Sequence, residues 1–146
     1  MLNNNNMFPI AKLMNEDSDC SYLTTIDISN YDDIEDAQMV LNTMNNSENA
    51  VPVSAMINKV IELDEVAFFP ASVTVDGVSY PAIRTVVITK DGEVFATNSK
   101  VFAESVAMTL NICGNPRSWK KPHYFKVQQI DLANARRCYK LVMAKK

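Results

Sequence analysis

The sequence predicts a mainly β fold with one internal helix, and three observations carry that reading. Apolar residues recur with a period of two through much of the chain after residue 50. Asp-Gly pairs punctuate those runs at Asp76-Gly77 and Asp91-Gly92. One later segment, opened by Asn98 or Ser99, switches to the three-and-four spacing of a helix. With 146 residues, 47% of them apolar, the chain can bury a core as a single globular domain.

Residues 1–22 are rich in Asn, Asp and Ser and predict a flexible N-terminal extension. Residues 23–49 read as an acidic appendage. TTIDISN alternates like a short strand, and Tyr31 to Asn45 reads as a helix capped by Asn30, with Asp32, Asp33 and Glu35 at the positive end of its dipole. Ile34, Ala37, Gln38, Val40, Leu41 and Met44 form its stripe, and NNSENA ends it. Residues 50–146 form the main domain. SAMINKVIELDEV predicts a long strand, VTVDGVSY a small hairpin and RTVVITKDGEVFATNS a stronger one. A helix follows with Phe102, Val106, Thr109 and Leu110 on one side, stopping before Gly114 with Pro116 beyond. HYFKVQQID and RRCYKLVMA then predict two strands joined by LANA.

Three strands, a helix and two strands is the connectivity of the OB-fold, a five-stranded Greek-key barrel with one helix between strands three and four. Such barrels bind single-stranded nucleic acid across their central strands and two loops. The matching parts here are 81–97 for the strands, 67–80 for the first loop and 132–135 for the second.

The formal net charge of −3 hides an asymmetry. Residues 1–48 hold nine acids and one base, a net −8; residues 111–146 hold nine bases and one acid, a net +8. A local basic patch can attract a polyanion whatever the total charge. Catalytic signals are scarce, and the expectation is a non-enzyme without cofactor or metal. His123 is the only histidine, three glycines leave little material for phosphate-cradling loops, and Cys20, Cys113 and Cys138 lack metal-site spacing. The N-terminus lacks the pattern of a secretory signal, and no apolar run is long enough to span a membrane, so a cytoplasmic location is expected.

Single-strand binding needs cations for phosphates and flat rings for bases. Tyr124 and Lys126 share the more polar face of their strand and lead the candidates, joined by Lys120, Lys121, Arg136, Arg137 and Lys140. Trp119, within RSWKKP, either stacks a base or covers the barrel end. Tyr139 faces the core in preference to a ligand. Phe68, Phe69 and Tyr80 are further ring candidates, with Arg84 a neighbouring cation, and the face occupied by Phe95 stays open.

The run AIRTVVITKDGEVFATNSKVFAES, followed by LNICGNP and the basic final strands, resembles the single-stranded DNA-binding proteins encoded by phages and mobile elements of Gram-positive bacteria. That group shares an Arg-Thr-Val strand, an Asp-Gly turn, an aromatic-Ala-Thr-x-Ser-Lys segment opening a helix and a Gly-x-Pro after it. EDAQMVLNTMNN is similar to a helix that precedes its barrel. The resemblance covers about residues 30–144. It implies an OB-fold that coats transient single strands during replication or recombination, without catalysis and with weak sequence preference. It draws attention to Arg84, Phe95, Ser99, Lys100 and the cations of the final hairpin. Arg136-Arg137-Cys138-Tyr139 departs from the Phe or Leu pair usual there, and residues 1–22 have no counterpart. The acidic segment is expected to shield the cleft or recruit replication or recombination proteins. The rival expectations are a protein-interaction module docking through helix 31–45, as in a phage inhibitor of host machinery, and a binder of single-stranded RNA.

Overall fold

The computed structural model describes residues 7–15, 19–131 and 137–145. In chain order the elements are β1 (Leu23–Thr24), α1 (Ile34–Asn45), β2 (Val51–Pro52), β3 (Leu63–Val75), β4 (Val78–Thr89), β5 (Val94–Thr97), α2 (Lys100–Cys113), β6 (Tyr124–Asp131) and β7 (Arg137–Ala144), joined in several places by short 3-10 turns. The first five strands make one mixed sheet in the order β1-β3-β4-β5-β2, antiparallel except where β2 runs parallel to β5. β6 and β7 pair separately as an antiparallel hairpin.

Both Asp-Gly turns form. Asp76 and Gly77 have φ of 52° and 79°, the left-handed pair a two-residue hairpin demands, while Gly92 takes φ of 88° in the second turn. The first hairpin is far longer than expected. β3 runs to Val75, so 67–80, predicted as a loop, is mostly strand. Pro70 and Pro81 are tolerated within these strands because each lies where its strand has a partner on one side only. β1 reaches no further than Phe68, and β5 no further than Thr85, so a missing N–H costs no ladder bond on the open side. The long strand expected over 54–66 in turn gives way to a 3-10 turn at Val53–Met56 and to Asn58 at φ 64°.

The sheet buries both faces. Val66, Val87 and Phe95 are cross-strand partners facing α2, against Phe102, Ala103, Val106 and Leu110. Ala67, Val86 and Ala96, one residue along, face the other way and pack with Met44 of α1. This second cluster is small, and α1 reaches it through Met44 alone, while the row bearing Phe95 belongs to the larger core. α2 follows its sequence signals: the Ser99 hydroxyl accepts from Phe102 N at 3.2 Å, and Gly114, φ 84°, donates its N–H to Leu110 O at 2.8 Å. α1 starts later than expected, because the Asp33 carboxylate caps it at Glu35 N while Ile28–Asn30 forms a 3-10 turn. Only Ala37 and Met44 of its predicted stripe are buried.

Two further expectations are corrected. Part of the segment read as a flexible extension is core: Phe8, Ile10 and Leu13 are buried, and Phe8 N donates to Asn111 Oδ1 at 2.9 Å. The apolar side chains of MFPIAKLM outweigh the surrounding Asn and Asp. The expected closed barrel is also not found among the described residues. β2 occupies the free edge of β5, where a closing strand would have to dock, and α2 packs against β7 through the Ser105 hydroxyl, which accepts from Leu141 N at 3.0 Å. The β6–β7 hairpin meets the start of the sheet through two isolated bridges, Ile57 with Val127 and Ile61 with Phe125. Among the described residues no helix is long and apolar enough to cross a membrane.

Candidate functional site

The β6–β7 hairpin has two unlike faces. Phe125, Val127 and Leu141 point into the core. Tyr124, Lys126 and Gln128 alternate with them on β6, and the register sets Lys126 opposite Val142 and Gln128 opposite Lys140. Directly opposed residues share a face, so Tyr124, Lys126, Gln128, Lys140 and Val142 form one outer surface. Tyr124 and Lys126 lie roughly 6 to 7 Å apart along the strand, and Lys126 and Lys140 are diagonal neighbours about 7 to 8 Å apart. The structure therefore brings Tyr124, Lys126 and Lys140 together. Arg137 belongs to the opposite parity, facing Asp131 at the far end of the hairpin. Arg136 and the loop 132–135 lie outside the described residues.

Lys120 and Lys121 are exposed in the loop that leads from α2 to β6. They share a cavity of about 170 Å³ with Lys90, Glu62, Trp119 and His123, floored by Leu63, Pro116 and Pro122. Lys90 is placed by its own backbone, whose N–H donates to Glu62 O at 3.0 Å. The Trp119 indole donates from Nε1 to Cys113 O at 2.8 Å and stands edge-on to His123, with ring centres 5.2 Å apart. Its other contact is Phe125, so the ring covers the core and lines the cavity at once.

The third cation of that loop turns inward. Arg117 makes a two-pronged contact with Asp64, Nε to Oδ1 at 3.0 Å and Nη2 to Oδ2 at 3.1 Å, and its Nε lies 3.3 Å from a carboxylate oxygen of Glu65. Its guanidinium also sits 4.1 Å over the Tyr31 ring and donates to Asn30 O. Glu65 is fully buried, accepting from the Thr25 hydroxyl at 2.6 Å and from the Tyr31 hydroxyl. Burial pushes the Glu65 carboxyl above its ordinary range, against the hydrogen bonds from Thr25 and Tyr31 and the charge of Arg117. Burial, then the bond to Glu65, raises the Tyr31 phenol as well. With Asn115, whose amide donates to Thr25 O, this cluster ties residues 25–31 to β3 and to the loop after α2.

No family model, no curated protein and no solved structure matches this chain. Its own geometry therefore carries the functional argument.

Other candidates fall elsewhere. Phe95 is corrected from ligand contact to core: it is fully buried, edge-on to Phe102 with centres 6.1 Å apart, because its row of the sheet faces α2. Arg84 is half-buried and donates from Nε and Nη2 to the Ser47 hydroxyl and carbonyl, holding the turn Ser47–Asn49 against β4. Lys100 is exposed on the first turn of α2. Phe68 is buried, Tyr80 is half exposed, and Tyr139 packs on the core. Sequence reasoning missed Lys90 and Glu62, which looked like turn and strand residues. It also missed the inward role of Arg117, for which the adjacent pair Asp64-Glu65 within a strand was the available signal.

Proposed function

We propose that the chain is a non-catalytic binder of single-stranded DNA with weak sequence preference, coating transient strands during replication or recombination of a phage or mobile element in its host's cytoplasm. The observation that carries the reading is the outer face of β6–β7, where Tyr124, Lys126, Gln128 and Lys140 stand together beside a loop presenting Lys120, Lys121 and Trp119. A ring stacks a base, and the lysines follow the phosphates. An OB-type architecture is part of this proposal. It is supported by the order β3-β4-β5-α2-β6-β7 and by the antiparallel bridge from Ile61, just before β3, to Phe125 in β6.

The test is fluorescence anisotropy of a labelled mixed-sequence strand of about 30 nucleotides, single- and double-stranded. If Lys120, Lys121, Lys126 and Lys140 each neutralise one phosphate, raising salt from about 50 to 200 mM weakens single-strand binding on the order of fiftyfold. Replacing Tyr124 and Lys126 together by Ala should cost at least about tenfold in affinity. Unchanged binding by that double variant would reject the assigned face. A competing RNA strand of the same sequence separates DNA from RNA preference.

A second reading, protein docking, is favoured by one observation: Ile34 and Met39 are 56% and 66% exposed on the acidic helix α1. Charge and exposed apolar side chains on one element suit a basic protein partner of the replication or recombination machinery. Absence of strand binding at low salt would favour it.

A further inference from the structure

The cavity at the start of β6 has a charge balance that phosphodiester binding does not require. Lys90, Lys120 and Lys121 line it with a single carboxylate, Glu62, so three ammonium groups and one acid leave a formal charge of +2. Among the described residues none of the three lysines is in an ion pair; the ion pairs there use Lys59 and Arg117. A backbone phosphodiester brings one negative charge, whereas a phosphomonoester carries about −1.5 to −2 near pH 7. The space of about 170 Å³ equals roughly five or six waters at about 30 Å³ each, suiting a small polar group rather than a macromolecular segment. Its walls are fixed. The Trp119 indole is pinned to Cys113 O, Pro116 and Pro122 limit the backbone, and Lys90 sits on a turn bonded to Glu62.

We propose that this cavity binds a phosphomonoester dianion, the group carried by the phosphorylated end of a nucleic-acid strand and by a nucleoside monophosphate. The three lysines neutralise the phosphate, and the face of Trp119 and the edge of His123 flank the attached sugar or base. This goes beyond the strand-binding reading, sharing Lys120 and Lys121 with it but adding Lys90, which comes from the β4–β5 turn and takes no part in the hairpin face.

Trp119 is the only tryptophan, so its fluorescence reports on this cavity in the full chain. Titrations use inorganic phosphate, thymidine 5′-monophosphate and thymidine, then short oligothymidylates with and without a 5′-phosphate. The expected result is a saturable change with the monophosphate and none with thymidine. Lys90→Ala weakens that response about tenfold, the loss of one charge-assisted contact, while leaving affinity for the unphosphorylated strand unchanged. A 5′-phosphorylated strand binding more tightly than its unphosphorylated counterpart identifies strand ends as the source; equal affinities of the two strands beside a response to the monophosphate identify the nucleotide. Equal responses to thymidine and its monophosphate, or to phosphorylated and unphosphorylated strands with none to the monophosphate, overturn the proposal. Inorganic phosphate competing on the unaltered protein supplies the test if Lys90→Ala fails to fold, and lack of competition rejects the site. Monophosphate binding without single-strand binding leaves the cavity assigned and refutes the strand reading alone.

Discussion

Arg117 and Lys120 are three residues apart in one loop, yet their charges serve opposite ends. Arg117 spends its guanidinium on Asp64, Glu65, the Tyr31 ring and a backbone carbonyl. Lys120 and Lys121 point outward with no ion pair among the described residues. The contrast follows from side-chain chemistry. A planar fork with five donors can satisfy a buried carboxylate and stack on a ring, whereas a strongly hydrated ammonium is better kept in water until a ligand arrives. Counting cations along this loop therefore overstates what is available for binding.

Breaking the inward side should have the largest effect. Arg117→Ala leaves the fully buried Glu65 without its cation and is expected to destabilise the protein by about 3 kcal/mol in urea unfolding, at the low end for a broken buried pair because Arg117 and Asp64 keep some solvent contact. Arg117→Lys keeps the charge but loses the two-pronged contact and the ring stacking, so a loss of about 1 to 2 kcal/mol is expected.

Glu65→Gln sharpens the comparison through pH. The raised Glu65 pKa means that folding favours the protonated form. Its stabilising contribution is complete below the ordinary glutamate range, near 4.3, and is lost as pH rises through the higher folded value. Thermal midpoints measured from about pH 4 to 8 should therefore move against the natural protein, relative to Glu65→Gln, as pH increases. A constant difference would place Glu65 at an ordinary pKa.

The outward side should respond least in stability and clearly in binding. Lys120→Ala with Lys121→Ala is expected to shift unfolding by less than about 0.5 kcal/mol. The same pair should flatten the slope of log affinity against log salt by about 1.4, two single-strand phosphate contacts. A stability loss matching that of Arg117→Ala would erase the distinction between the two kinds of cation.

What could be read from sequence was what depends on near neighbours. The Asp91-Gly92 turn, the Ser99 cap, the Gly114 stop and the alternation of Tyr124 and Lys126 with Phe125 and Val127 are set by residues within a few positions, and all appear. The length of β3 was hidden because Pro70 acts as a breaker only where both edges are paired, and edge pairing is a tertiary property. The Phe95 face depended on which helix covers which row. The Tyr31–Glu65–Arg117 cluster joins residues 34 to 86 positions apart, and no periodicity encodes such partners. Burial of Phe8, Ile10 and Leu13 was obscured by the polar composition around them.

That last burial bears on how the protein is made. The Phe8 backbone N–H donates to the Asn111 side chain, 103 positions later, and Leu23 and Thr24 pair with a strand more than 40 positions downstream. At ribosomal speeds of about 5 to 20 residues per second, those N-terminal apolar side chains wait roughly 5 to 20 seconds for α2 to be synthesised. The β3–β4 hairpin, closed by a two-residue turn, can form within microseconds of leaving the ribosome. Folding is thus expected to begin with the β3–β4 hairpin and finish with the docking of Phe8, Ile10, Leu13 and β1, leaving those apolar side chains a ready target for chaperones until α2 is made.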